Sequence, residues 1–238
     1  MKTATVTPYG AGEGKKRQVR RMFDAIAGRY DLLNRVLSLG VDVWWRRRAV
    51  AELRALKPQK ILDLATGTGD FALAALRLKP QKIVGLDLSE GMLAIGRKKT
   101  AGKPVEMILG DAENLPFADG EFDAVTVGFG VRNFENLERG LSEMARVLRS
   151  GGKAVVLEPS TPKIFPFNRL FRWYFHVVLP RIGAAISRDK AAYAYLPESV
   201  RAFPHGDDFL KICLSSGFST GVHRPLTLGI CSMYVLTK

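Results

Sequence analysis

One stretch constrains this chain more than any other: Lys60-Ile-Leu-Asp-Leu-Ala-Thr-Gly-Thr-Gly-Asp-Phe71. It opens with an apolar run from Ile61 to Ala65, fit for a buried strand, and breaks at two glycines around Thr68. A helical pattern resumes at Phe71 and continues through Leu76 and Leu78. Strand, glycine turn and helix in that order make a ligand cradle at the carboxyl edge of a parallel sheet. Gly67 and Gly69 reach dihedrals closed to other residues and let a ligand lie against bare backbone. Asp63, near the strand's end, is placed to take the positive end of that ligand. A dinucleotide would rest its pyrophosphate on the helix N-terminus and needs a third glycine that this turn lacks. A carboxylate beside a short Gly-x-Gly suits a ligand that carries an amino group.

The rest of the chain supplies the frame for that turn. Residues 17–58 read as N-terminal helices: Met22, Phe23, Ile26, Tyr30 and Leu33 recur at helical spacing, Gly40 breaks the pattern, and a second helix runs from Trp44 to Leu56. Strands are expected at Ile61–Ala65, Ile83–Asp87, Val105–Leu109, Phe122–Gly128 and Lys153–Glu158. Helices are expected at Asp70–Leu78, Glu90–Thr100 and Leu137–Leu148, the last stopped by Ser150-Gly151-Gly152. This alternation, with nearly all-apolar strands, implies an α/β fold with a mostly parallel, seven-stranded sheet and helices on both faces. Residues 159–203 interrupt it with aromatic, basic and Pro-punctuated sequence, read as an inserted helical cap. A helix from Asp207 to Ser216, with Gly217 as its stop, precedes a closing hairpin from Val222–Pro225 and Gly229–Thr237. Residues 1–16 read as a disordered tail and 17–238 as a single domain.

Three acids fall at strand ends, Asp63, Asp87 and Asp111, each 24 residues after the last. That is one strand-plus-helix unit, so all three come to the same edge of the sheet. Asp87, followed by Leu88, can take both hydroxyls of a ribose. Asp111-Ala112 can accept from an adenine amino group and pack its ring. A single acid there could be a plain helix cap; three in register with Gly-x-Gly describe a nucleoside site. S-adenosylmethionine has both the nucleoside and the amino group that such a site asks for.

The net charge of +13 is unevenly placed. Residues 15–54 carry eleven Lys/Arg against four acids and residues 163–190 six against one, whereas residues 55–162 balance at fourteen each. Two basic flanks around a neutral middle suit an anionic surface, lipid or nucleic acid, or else a solvated basic face. Cys213 and Cys231 lack metal-ligand spacing and read as buried thiols in a reducing cytoplasm. His176, His205 and His223 are scattered, so no metal is expected. No signal-peptide core or bilayer-spanning apolar run is evident.

Asp63-Leu-Ala-Thr-Gly-Thr-Gly-Asp70, Asp111-Ala-Glu-Asn-Leu-Pro-Phe117 and Leu148-Arg-Ser-Gly-Gly152 resemble class I S-adenosylmethionine-dependent methyltransferases, which have a Rossmann-like fold. More specific are Met22-Phe-Asp-Ala-Ile-Ala-Gly-Arg-Tyr-Asp-Leu-Leu-Asn34, Gly128-Phe-Gly-Val-Arg-Asn133, His176-Val-Val-Leu-Pro-Arg-Ile-Gly183 and Tyr193-Ala-Tyr-Leu-Pro-Glu-Ser199. Together these are similar to the demethylmenaquinone/ubiquinone C-methyltransferase family over nearly the whole chain after residue 17. The resemblance implies cofactor contacts at Thr68, Asp87, Asp111 and Ala112, and methylation of a ring carbon in a lipophilic polyprenyl quinol. Gly128 stands where many ubiquinone-type relatives carry serine, which points toward a menaquinone-type substrate; a ubiquinone-pathway benzoquinol is the alternative.

Carbon attacks a sulfonium methyl only if the ring hydroxyl ionises, so the protein must position, deprotonate and exclude water. Arg132 and Asn133 follow the fourth strand toward the reacting methyl. A guanidinium stays protonated, so Arg132 is read as stabilising the phenolate, its alternative being a salt bridge to a nearby acid. Tyr30 is read as hydrogen-bonding the quinol, or as a plain helix contact, and Asp31 as a base. His176 can carry a proton near neutrality or serve as a satisfied core histidine. The basic, aromatic segments at Trp44–Arg48 and Phe165–Val178 suit an anionic membrane, contacted peripherally from the cytoplasmic side. No nucleic-acid partner is expected, and a homodimer stays open. The rival readings are an RNA methyltransferase using the basic flanks and a cofactor-binding protein without turnover.

Overall fold

The computed structural model describes residues 6–10, 12–162, 164–166, 168–169, 173–174, 177 and 190–238, the backbone alone at 190–193. Its centre is a seven-stranded sheet in the order β3-β2-β1-β4-β5-β7-β6. The strands are β1 (Lys60–Leu64), β2 (Lys82–Asp87), β3 (Val105–Leu109), β4 (Phe122–Gly128), β5 (Leu148–Pro159), β6 (Thr220–Leu226) and β7 (Cys231–Thr237). Pairing is parallel from β3 to β5 and antiparallel where β7 joins β5 and β6. The expected closing hairpin is therefore the antiparallel edge of an otherwise parallel sheet. The strand order reverses at β1, between β2 and β4, which is where open α/β sheets hold their ligands.

Helices cover both faces. On one side, α2 (Val41–Glu52) and α3 (Asp70–Ala75) pack Trp45, Ala49, Val50, Phe71 and Ala72 against Ile61, Ile83, Val155 and Met233. On the other, α5 (Leu137–Val147) and α7 (Asp207–Ser215) set Leu141, Met144, Phe209 and Cys213 on Leu62, Leu64, Val125 and Tyr234. Both cysteines are buried and free. Helix α4 (Glu90–Thr100) is capped by Ser89, whose hydroxyl accepts from Met92 N at 3.1 Å.

Helix α1 (Lys15–Leu37) buries Val19, Met22, Ile26 and Leu33, the face its i, i+3, i+4 spacing promised. Its N-terminus differs from the expected tail. Residues 6–10 pack on the helix: Tyr9 N donates to Gln18 Oε1 at 2.7 Å, and Arg21 lies 4.3 Å from the Tyr9 ring centroid. A polar segment is held here by a buried glutamine that no apolar pattern announces. The chain turns from α1 to α2 through Leu39 (φ 51°) and Gly40 (φ 77°).

One boundary is corrected. Ser150-Gly151-Gly152 does not separate α5 from a strand, because β5 starts at Leu148 and carries these residues in a bulge. Phe122 pairs with Leu148 and Ala124 with Lys153, while Gly151 N bonds Lys238 O at 3.1 Å. Of the expected cap, α6 (Lys190–Ala202) is helical; most of 163–189 lies outside the described residues.

Candidate active site

Two cavities meet at the carboxyl ends of β1, β2 and β4. The first is lined by Gly67, Asp87, Leu88, Asp111, Ala112 and Gly128, six of the residues expected to hold a nucleoside. Asp87 is fixed from both sides: Gly67 N donates to Oδ2 at 2.8 Å and Ser89 N to Oδ1 at 2.9 Å. Burial pushes its carboxyl above the usual range against these backbone bonds. Gly67 adopts φ 55°, which lets the loop turn its N–H onto Asp87. A Cβ at Gly128 would come 3.0 Å from Phe71 Cδ1, so bare backbone is what leaves this wall open.

Asp111 meets a partner that the sequence gave no sign of. Lys16, from α1, places Nζ 2.6 Å from Asp111 Oδ2 and 3.2 Å from Glu113 Oε2. Lys16 and Arg20 thus close the cleft from the N-terminal helix. The next lysine along does similar work on the other side. Lys15 Nζ donates to the carbonyls of Arg132 and Phe134 at 2.9 and 2.8 Å, and burial together with Arg132 lowers its pKa to about 8.

The remaining expected donor-site residues do not line this cleft. Asp63 is wholly buried and accepts from Thr66 Oγ1 (2.5 Å), Thr126 Oγ1 (2.7 Å) and Ala72 N (3.0 Å). It ties the glycine loop to β4 and to the start of α3, and burial raises its pKa to about 6. Thr126 was not foreseen, although the register that sets it beside Asp63 follows from β1–β4 pairing. Thr68 donates to Asp31 Oδ1 at 2.5 Å and faces a smaller recess behind the loop. Gly69 (φ 83°) is a turn and packing position, where a Cβ would lie 2.5 Å from Met107 Cε.

The second cavity is walled by Phe23, Leu33, Leu37, Trp45, Phe129 and Tyr195, with Tyr30, Asn34, Asp42 and Arg132 among its polar lining. Tyr30, Phe23 and Phe129 also line the first, so the two cavities share a wall there. The Tyr30 ring meets Phe23 edge-on at 5.9 Å, its hydroxyl bonds the Asn34 side chain, and burial raises its pKa.

Arg132 sits on the short turn Val131–Asn133 that follows β4. Its Nη1 donates to Glu158 Oε2 at 3.0 Å and to the Phe129 carbonyl, and its backbone N donates to Glu158 Oε1 at 3.3 Å. Nε is buried with no hydrogen-bond partner among the described residues. Arg132 is therefore salt-bridged, as its alternative reading expected, and it keeps one donor uncommitted among the described residues in a side chain that lines the apolar cavity. Glu158 is fully buried and its carboxyl is raised by that burial. Its signal in the sequence was a charge ending an apolar strand. Asn133 lines the first cavity, its Oδ1 accepting from Tyr195 OH at 3.1 Å.

Asp31 is not brought to either cavity. Its carboxylate pairs with Lys99 Nζ at 2.7 Å and with Thr68, outside the apolar chamber, so its expected role as base is corrected to a structural one. Asp42 lines the second cavity, but Arg46, Arg35 and Ser38 hold it. His176 lies outside the described residues.

The chain matches the model of the ubiE/COQ5 methyltransferase family over residues 11–238. It is 47% identical over 238 residues to demethylmenaquinone methyltransferase of Bacteroides fragilis, covering 98% of this chain and 97% of that one. It is also 47% identical to the ubiquinone/menaquinone biosynthesis C-methyltransferase UbiE of Geobacter sulfurreducens, covering 100% of this chain and 94% of the relative. A SAM-dependent methyltransferase from Thermotoga maritima shares the fold, with a TM-score of 0.59 at 20% identity over 92% of this chain and 99% of that one. The paired cavities and these likenesses agree: the chain belongs to the ubiE/COQ5 methyltransferase family and is an S-adenosylmethionine-dependent methyltransferase.

Proposed function

We propose that this enzyme methylates a ring carbon of demethylmenaquinol, giving menaquinol, with S-adenosylmethionine in the first cavity and the quinol ring in the second. The observation that carries the reading is the shared wall at Tyr30 and Phe129, where a nucleoside-type cleft abuts a large apolar chamber. Bound S-adenosylmethionine supplies an electrophilic methyl group. Asp87 takes the ribose hydroxyls, and Asp111 and Ala112 take the adenine. Binding adenine at Asp111 requires Lys16 to shift toward Glu113. Tyr30 and Phe129 keep water from the boundary, and Arg132 donates from its uncommitted Nε to the ring oxygen as that oxygen gives its proton to solvent and becomes a phenolate. The methylated carbon then loses its own proton to solvent as the ring regains aromaticity, and S-adenosylhomocysteine is the by-product.

Leu37 and Ser38, at the joint of α1 and α2, are part of the lining of the apolar chamber. Around that joint Leu32, Leu39 and Trp44 are 57%, 82% and 47% exposed, with Arg35, Arg47 and Arg48 exposed among them. Apolar side chains beside arginines fit a peripheral contact with an anionic bilayer, through which a polyprenyl tail can pass. No described helix is long and apolar enough to cross a membrane.

Quinone extracts from cells lacking this protein test the substrate by mass spectrometry. The demethyl naphthoquinone should accumulate and menaquinone should vanish. Accumulation of a demethyl benzoquinone instead would shift the reading to the ubiquinone pathway, which the double name of the Geobacter relative keeps in view. An unchanged quinone profile would refute both.

A further inference from the structure

Behind Gly67 and Gly128 the first cavity continues into a small recess, with Tyr30, Ala65 and Phe129 common to both. The recess is lined by Arg46 from α2 and Asp70 from α3, together with Asp63 and Thr68. Arg46 is only 7% exposed, and arginine is seldom so buried unless it is paired. Its Nη2 donates to Asp42 Oδ2 and, at 3.2 Å, to Asp70 Oδ2. Both bonds leave from one nitrogen, so the rest of the guanidinium fork is uncommitted among the described residues.

Neither acid depends on Arg46 alone. Asp42 also accepts from Ser38 Oγ at 2.8 Å and pairs with Arg35 at 3.3 Å; Asp70 Oδ1 takes Lys99 Nζ at 2.6 Å. The result is a ladder of alternating sign, Asp42, Arg46, Asp70, Lys99, that shows the recess a cation beside an anion. A purely cationic or neutral group does not match such a wall. A group bearing a carboxylate and an ammonium on one carbon does, and a guanidinium fork is well shaped for the carboxylate.

We propose that Arg46 binds the carboxylate of the amino-acid end of S-adenosylmethionine in this recess, with the ammonium turned toward Asp70. The inference rests on the donor assignment made above and extends it by naming the residue that distinguishes the whole cofactor from its nucleoside half. Asp63 then acts at one remove, by holding Thr66 and the glycine loop between the two compartments.

Calorimetry on the full chain separates this from a structural role. The ligands are S-adenosylhomocysteine, which keeps the amino-acid end, and methylthioadenosine, which lacks it. Arg46→Met should weaken the first by about 10- to 100-fold, the range for a hydrogen bond to a charged group, and leave the second within twofold. Arg46→Lys should fall between. Equal weakening of both ligands, or none of either, would overturn the inference. Should Arg46→Met not fold, the wild-type chain still decides: decarboxylated S-adenosylmethionine must bind at least about tenfold more weakly than S-adenosylmethionine, and equal affinity refutes the proposal. A wild-type chain that binds none of these nucleosides refutes the donor assignment itself, and this inference with it.

Discussion

Arg132 and Glu158 put two charges where the sheet core meets the apolar chamber, with side chains 9% and 0% exposed. Removing one partner of a buried pair strands the other, typically at about 3–5 kcal/mol. Arg132→Ala should therefore lower kcat by about 10²- to 10³-fold, the usual loss for a donor to a developing oxyanion, and also lower the melting temperature. Cofactor affinity should stay within a few-fold; an equal loss of cofactor binding contradicts the role given to Arg132. The double variant Arg132→Gln/Glu158→Gln should melt above either single variant, because it leaves no uncompensated charge. Simple additivity of the two losses would contradict the coupling. Asp63 makes a prediction of the opposite kind. Its folded pKa is about 6 against 3.8 for the free side chain, so the folded chain holds the proton more tightly. Stability contributed by Asp63 is therefore greatest below about pH 4 and falls as pH rises through about 6, by up to about 3 kcal/mol. Denaturant titrations of wild type and Asp63→Asn from pH 4 to 7 should show the wild-type advantage shrinking as pH rises. A gap that grows with pH would contradict it.

The turn that carries Arg132 shows how an element sets the position of a residue. A Cβ on Gly130 would lie 2.5 Å from Ala65 Cβ and 3.2 Å from Val127 Cγ1, both short and unyielding. Gly130→Ala must push this turn off the glycine loop. It should cost about 1–3 kcal/mol, as overpacking does, and reduce kcat/KM by more than the loss of folded protein explains; wild-type kinetics would contradict this. Helix α1 illustrates what was legible in the sequence and what was not. The spacing of Met22, Ile26 and Leu33 gave its buried face, and apolar runs gave β1 to β4 almost to the residue, because burial repeats with the period of the backbone. Asp87 and Asp111 could be placed at the cleft because 24 residues, one repeat of the fold, separate them, while Ala112 simply follows Asp111 and Gly128 ends β4. Lys15 and Lys16 registered only as surplus charge, since their partners lie 95 to 119 residues away and no local period connects them. Asp31 failed as a base for a related reason. A one-residue step from Tyr30 turns a helical side chain through about a quarter turn, and that step carries it out of the chamber to Lys99.

At the scale of the whole molecule, a sheet with ligand compartments at its reversal point is closed by a helix pair whose outer corner is greasy and basic. The bilayer contact proposed for this corner should then depend on residues that touch neither compartment. Leu39→Ser/Trp44→Ser should reduce sedimentation with anionic liposomes severalfold and leave methylation of a short-chain, water-soluble quinol unchanged. Sedimentation equal to wild type would contradict that surface. High salt should weaken the wild-type contact, as expected for arginines against anionic headgroups. Two neighbouring chambers, one proposed for a methyl donor and one for a quinol ring, are tested together by one measurement. Purified protein is given methyl-labelled S-adenosylmethionine and demethylmenaquinol in detergent, and the extracted quinone is analysed by tandem mass spectrometry. Label on a ring carbon is the expected result; no labelled quinone, or label on oxygen, would refute the proposed reaction.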